Sequence, residues 1–190
     1  MPEIGGPAIF VEALSSYLKI NGIPNQIITL ANIDKPFIFK NGLFKIDRKL
    51  PKLIRTIFLI ILIFFKSLKS KKILCCGLIF ESFIANLVMR NKLVYRFVGD
   101  SIWERYIGNK DQNSFLNENI NLKLKFLILI RNLILKNYNL VITPSNFLKK
   151  YLLNNLKIKE ANIKIIKNSA HINTSFNKQK VKNYFLKKII

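Results

Sequence analysis

Two carboxylates accompany the only tryptophan of the chain in the segment 98–105. Asp100, Trp103 and Glu104 come directly after a run that predicts a strand. Carboxylates beside an aromatic ring suit a carbohydrate, because sugar hydroxyls bond to the acids and the apolar sugar face stacks on the indole. The same order of residues is also typical of a helix start, with Asp100 as the N-cap and Trp103 in the core. These residues alone leave both interpretations open.

A diglycine, Gly5-Gly6, stands directly before a predicted helix. Glycines let a backbone approach a bound group closely. A helix N-terminus adds free N–H groups and the positive end of a dipole, which together favour a phosphate. A Gly-Gly pair is more often a plain turn, so this feature needs support from its neighbours.

Polar residues also follow the last two predicted strands. Ser145 can N-cap the helix that runs to about Asn155, and it can equally line a cleft at the strand ends. Asn168 closes the last strand, and the single histidine, His171, has no identifiable chemical partner and receives no role.

The cysteines do not predict a metal site. Cys75 and Cys76 are adjacent in an apolar run, and no Cys-x-x-Cys or Cys/His cluster occurs. Neighbouring residues on a strand point to opposite faces, which disfavours a disulfide between them. We expect buried thiols in a reducing cytosol.

Hydrophobic periodicity places these residues on an alternating series of helices and strands. Helices are predicted over 8–20, 53–68, 80–90, 122–135 and 145–155, and strands over 26–31, 72–76, 92–98, 140–143 and 163–166. Residues 32–51 are predicted to be a loop, and 101–118 to be irregular. The alternation predicts an α/β fold, a Rossmann-like doubly wound parallel sheet that binds ligands beyond the carboxyl ends of its strands. Such folds normally open with a strand, so we expect the first strand to be missing.

The chain is strongly basic, with 32 Lys and Arg residues against 10 acidic residues and a net charge of +22. This charge favours phosphate, anionic lipid or nucleic acid as a partner, although a composition crowded with Lys, Ile and Asn gives it a second explanation. There is no zinc-finger spacing, no RNP-like strand and no Arg-rich arm, so we expect no nucleic-acid partner.

An apolar run at 57–65 is bracketed by lysines. It has nine residues, and a bilayer span needs about 20, so it is not a transmembrane helix. It suits either a core helix or a helix that lies in a membrane interface, and we favour the core helix.

Four segments in this order resemble the amino-terminal domain of glycosyltransferase family 4. Residues 2–21 are similar to the family's Pro-x-x-Gly-Gly loop and first helix, and residues 92–104 to its Val-Gly-Asp-x-x-Trp-Glu stretch. Residues 139–151 and 163–168 are similar to its Val-Ile-x-Pro-Ser and Ile-x-Val-Ile-x-Asn segments. The resemblance covers residues 2 to about 171. Ser101 departs from it, because an aromatic residue is common there.

The resemblance implies a GT-B enzyme, in which two Rossmann-like domains face each other across a cleft. Residues 1–171 would be the acceptor-side domain, and 172–190 a tail or the start of an interdomain segment. The donor-binding domain is absent, so we expect the chain to be inactive alone and to need a separate donor-domain chain. Family members typically retain anomeric configuration and need no metal. Many sit on the cytoplasmic membrane face.

The substrates implied are a nucleotide sugar and a glycan or lipid-linked acceptor, with no cofactor. Gly5 and Gly6 would approach the donor phosphates. The residues expected at the acceptor side or cleft are Asp100, Trp103, Glu104, Ser145 and Asn168. The expected location is cytoplasmic, with peripheral contact to an anionic membrane surface. The alternative is a non-catalytic membrane-surface or protein-interaction α/β module.

Overall fold

A three-stranded sheet follows the first helix of the protein. The computed structural model describes residues 6–100, 102 and 122–167. Its first elements are α1 (Gly6–Ile20), β1 (Ile27–Ala31), β2 (Phe37–Lys40) and β3 (Leu43–Asp47). The order in the sheet is β1-β3-β2, with β1 parallel and β2 antiparallel to β3. Gly22, just after the end of α1, has a φ of 69°, which glycine adopts without steric strain.

The prediction of a loop over 32–51 is wrong, because β2 and β3 form a hairpin there. Asn41 and Gly42 connect the two strands, with φ angles of 51° and 79°. Positive φ at both central residues is the geometry of the tight hairpin turns that Asn-Gly favours. The dipeptide was visible in the sequence, and the turn-forming residues around it concealed two short strands.

The second sheet is four-stranded and entirely parallel, in the order β4-β5-β6-β7. One helix leads into it, and each later pair of strands is joined by a crossover. Its elements are α2 (Lys52–Ser67), β4 (Lys72–Cys75), α3 (Ile79–Met89), β5 (Lys92–Arg96), α4 (Leu122–Lys136), β6 (Leu140–Thr143), α5 (Asn146–Asn154), a 3₁₀ turn (Glu160–Asn162) and β7 (Ile163–Ile165).

The main core lies between this sheet and its helices. Leu93, Tyr95 and Phe97 belong to one buried cluster with residues of α4 and α5, whereas Val94 belongs to a separate cluster. This alternation is the period of two expected of a strand. Tyr138, just beyond α4, is buried in the main cluster and donates a hydrogen bond of 3.0 Å to the carbonyl of Ile79. The core therefore joins the three described crossovers of the parallel sheet.

The apolar run at 57–65 lies within α2, and only some of its side chains are buried in the core. Leu59 and Ile63 are buried, but Ile57 and Ile61 are each 49% exposed. The prediction of a core helix is therefore confirmed for one face of α2. No helix among the described residues is long and apolar enough to cross a membrane.

The predicted α/β class, with a parallel sheet flanked by helices, is confirmed for β4 to β7. The strict alternation is not, because the β2–β3 hairpin interrupts it. The described strands also form two sheets rather than one, with β1 at an edge of the first and β4 at an edge of the second. A doubly wound fold has one continuous sheet. Among the described strands, none lies between β1 and β4 to join the two sheets.

Core packing can be tested with two leucines of α4. Leu135 is fully buried, and Leu133 is 54% exposed. Leu135→Ala should lower the free energy of unfolding by about 2–5 kcal/mol, because it leaves a cavity. Leu133→Ala on the same helix should change it by less than about 0.5 kcal/mol. Urea unfolding followed by circular dichroism measures both, and equal losses would contradict this placement of the core.

Candidate functional site at the carboxyl ends of the strands

The carboxyl ends of the parallel strands share one edge of the second sheet. β5 leads into Phe97 and Asp100, and β6 leads into Ser145. Ligands of open parallel sheets bind at this edge.

Asp100 is held by three donors from different parts of the chain. Its Oδ1 accepts from Arg131 Nη1 of α4 and, at 3.0 Å, from the backbone N–H of Ile102. Its Oδ2 accepts from the Tyr151 hydroxyl of α5 at 2.6 Å. Tyr151 also stacks on Phe97, with ring centroids 6.0 Å apart. The segment after β5 is therefore tied to both following helices.

The ion pair between Asp100 and Arg131 is buried, with side-chain exposures of 7% and 9%. Arg131 is held in turn by Asn132, whose Oδ1 accepts from Nε at 3.1 Å and from Nη2 at 3.0 Å. Burial, and then the hydrogen bond to Asp100, raise the pKa of Tyr151 well above its ordinary value. The tyrosine thus remains a neutral donor to the carboxylate. Asp100 anchors its loop, as an N-cap would, and both of its oxygens are already engaged.

The first turns of α1 lie at the same edge of the sheet. The guanidinium carbon of Arg96, the last residue of β5, is 3.8 Å from the ring centroid of Phe10. Arg96 is buried, and this burial lowers its pKa, partly opposed by Cys76. Gly6 begins α1 four residues before Phe10, a rise of about 6 Å. The first turn of α1 contains no acidic residue, so the positive helix end and a cation lie close together.

Ser145 is the N-cap of α5. Its backbone is extended, with φ of −142°, and its hydroxyl accepts from the N–H of Leu148 at 3.2 Å. The capping interpretation of Ser145 is confirmed. Thr143, two residues earlier, is fully buried, and its Oγ1 has no hydrogen-bond partner within the described part of the chain.

The structure brings three of the predicted site positions to this edge. They are the backbone of Gly6 at the start of α1, the anchored Asp100 and the capping Ser145. The remaining predicted positions lie outside the described residues: Gly5, Trp103, Glu104 and Asn168.

Arg96, Arg131 and Tyr151 were not predicted from the sequence. Arg96 carried a visible signal, because a charge inside the otherwise uncharged run Leu93–Phe97 implies burial beside a partner. Arg131 is the single arginine in a helix whose other charges are lysines, and arginine suits buried carboxylate pairs. Tyr151 carried no comparable signal.

The two cysteines behave as structural thiols. Both are free, and Cys75 is buried. Burial raises the pKa of Cys75 and raises that of Cys76 to about 11. Over 6–100, 102 and 122–167, no group of three His, Cys, Asp or Glu side chains could hold a metal ion.

No protein-family model matches this chain, and no curated protein sequence matches it.

The anchoring role of Asp100 predicts an unequal response of two ion pairs. Asp100→Ala should destabilise the protein by about 3–5 kcal/mol, because it leaves the Arg131 charge buried without its partner. The exposed pair between Lys149 and Glu160, with Nζ and Oε1 2.6 Å apart, is the control. Glu160→Ala should leave unfolding unchanged, since water screens an exposed pair. Urea unfolding measures the free energy of both variants, and equal losses would contradict the anchoring role of Asp100.

The half-buried Cys76 thiol predicts a loss of stability in alkali. The unfolded Cys76 thiol ionises near pH 9, whereas the folded one keeps its proton to about pH 11. The unfolded state binds fewer protons in this window, so stability should fall as pH rises, by up to about 1.4 kcal/mol per pH unit for this group. Urea unfolding at intervals across this range measures the slope. Cys76→Ala should make it shallower, and an unchanged slope would exclude Cys76 as its source.

Proposed function

We propose that this chain is the acceptor-side domain of a retaining glycosyltransferase, which transfers a sugar from a nucleotide-sugar donor to a glycan or lipid-linked acceptor. The observation that carries the proposal is the meeting of two features at one sheet edge. The first turns of α1 lie beside Arg96, and the anchored Asp100 follows four residues later.

The start of α1 suits the donor diphosphate. Free N–H groups at a helix N-terminus and the positive dipole end attract phosphate oxygens. Arg96 adds a positive charge one turn into the helix, and Gly5 and Gly6 would let the backbone approach the anion. The resemblance assigns the diphosphate to the same loop, independently of the contact between Arg96 and Phe10.

The acceptor side would be formed by the segment that Asp100 anchors. Asp100 accepts from the N–H of Ile102, and Trp103 and Glu104 come next in the sequence. Asp100 would act as a positioning residue, because its oxygens are already engaged, while Trp103 and Glu104 would contact the sugar. Ser145 and Asn168 would border the same cleft from the neighbouring strand ends.

Transfer would require a donor domain from another part of the enzyme or from a separate chain. Stabilising a departing diphosphate needs groups that converge from both sides of a cleft. We also propose that β1 and β4 belong to one doubly wound sheet, joined by a further parallel strand between them. The domain would work in the cytoplasm at the inner membrane face.

The phosphate site can be tested with inorganic pyrophosphate. In amide NMR spectra of the labelled protein, titration should shift resonances of Gly6, Phe10 and Arg96 together. Arg96→Gln should weaken the apparent affinity by about tenfold, the loss expected for one charged hydrogen bond. Arg90→Gln, which removes an exposed charge at the opposite end of β5, should leave it unchanged. Shifts spread over exposed lysines instead would refute the site.

The acceptor side can be tested through the fluorescence of Trp103, the only tryptophan. Oligosaccharide titration should shift its emission, and Glu104→Gln should weaken the response without unfolding the protein. A panel of neutral and acidic oligosaccharides that leaves the emission unchanged would count against carbohydrate binding, whatever the result with pyrophosphate.

A further inference from the structure

Helix α2 is apolar on its solvent-exposed side as well as on its buried side. Leu59 and Ile63 point into the protein, whereas Leu53, Ile57 and Ile61 recur at intervals of four residues and are exposed, Leu53 by 73%. A helix at the surface of a protein normally turns polar residues toward water. A helix that is apolar all round is normally covered by other protein or by lipid. The exposed row on α2 therefore needs a partner.

The elements that pack beside α2 also carry exposed apolar side chains. Helix α2 packs on α3, and α3 packs on α4. Phe37 of the β2–β3 hairpin stacks on Phe58 of α2, with ring centroids 5.7 Å apart. We call the exposed apolar side chains of these elements the outer face: Phe37, Phe39, Leu53, Ile54, Ile57, Phe58, Ile61, Phe65, Leu87, Val88, Leu122, Phe126, Leu129 and Leu133. An exposed apolar patch, such as the row on α2 together with the stacked Phe37 and Phe58, marks an interaction site.

Positive charge surrounds the α2 side of the outer face. Residues 35–72 contain 11 Lys and Arg residues and one acidic residue, Asp47, which is buried. Exposed lysines stand just before, at the start of and just after α2: Lys49, Lys52 and Lys69. Lys66 lies over the Phe44 ring at 4.6 Å from its centroid. The charges are thus interleaved with the apolar side chains.

This charge distribution selects among the partners that an apolar face could have. A second copy of the same face would bring like charges together, which costs binding free energy. An anionic lipid surface offers both requirements at once, because basic side chains near it are attracted to its headgroups and apolar side chains enter its acyl boundary.

We propose that the outer face docks on an anionic lipid bilayer, with α2 lying in the plane of the interface. The inference rests on exposure and charge and not on the proposed transferase activity. A failure of pyrophosphate or sugar binding would leave it intact, and a failure of lipid binding would leave the phosphate site intact.

Vesicle co-sedimentation tests this proposal with the full chain. The protein should partition onto vesicles of phosphatidylcholine mixed with phosphatidylglycerol and much less onto pure phosphatidylcholine. Ile57→Glu/Ile61→Glu should lower the partition coefficient at least about tenfold, because it places charge in the acyl boundary. Ile20→Glu is the control, since Ile20 is exposed at the end of α1, outside the outer face. It should bind as the unchanged protein does.

The contribution of the lysines to vesicle binding can be tested with separate variants. Lys52→Ala/Lys69→Ala should weaken partition onto the anionic vesicles by about tenfold. Lys159→Ala/Lys167→Ala, which removes two exposed lysines flanking β7 at the far edge of the sheet, should have little effect. Far-UV circular dichroism checks that every variant is folded.

Three outcomes would overturn the proposal. Equal partition of the double-glutamate variant and the unchanged protein would exclude the outer face. Equal binding to neutral and anionic vesicles would exclude the role of the charge. A dimer in sedimentation analysis that dissociates on Ile57→Glu/Ile61→Glu, without vesicle binding by the unchanged protein, would show that the face joins two copies of the chain.

Discussion

The buried ion pair between Asp100 and Arg131 is the contact on which the carboxyl edge of the parallel sheet depends. A charge removed from water must be matched by a partner and by further hydrogen bonds, and Tyr151 and Asn132 provide them. The pair thereby links the end of β5 to α4 and α5, two helices that are separated in the sequence by β6. These hydrogen bonds and the attraction between the two charges offset the desolvation cost, and they fix the position of Asp100 after β5. That segment leads into the residues with the most distinctive chemistry in the chain.

The two ends of β5 differ in character. At the amino end of the strand, the backbone N–H of Leu93 donates a hydrogen bond of 2.8 Å to the side-chain oxygen of Asn139. At its carboxyl end it presents Arg96 to the first turns of α1. The strand thus packs through apolar side chains in its middle and makes polar contacts at both ends. This division explains how a nearly uniform apolar core can still hold charged groups in defined places.

The sequence predicted the parallel sheet well and the first sheet poorly, for a physical reason. Strands β5 and β6 are buried on both faces, so their continuous apolar character is distinctive. Strand β2 is exposed along its whole length, and its turn-rich surroundings are typical of loops. The local dipeptide Asn41-Gly42 held the information, because its left-handed backbone specifies a hairpin. Ser145 was predictable as a cap from its neighbours alone. Asp100 was predictable as a residue at the strand end, but its partners Arg131 and Tyr151 are 31 and 51 residues away in sequence, where no local pattern reaches.

The separation of the strands into two ladders bears on how the protein opens. Among the described strands, neither sheet shares a strand with the other. The described contacts between the two parts run through the side chains of α2, because Phe37 of β2 stacks on Phe58 of α2 and α2 packs on α3. Packing without a shared ladder can be broken piecewise, and cooperative units in proteins tend to follow such divisions. The β1–β3 part and the β4–β7 part are therefore expected to unfold as two separate cooperative units. We expect the first part to loosen before the second, because the buried clusters lie around β4 to β7.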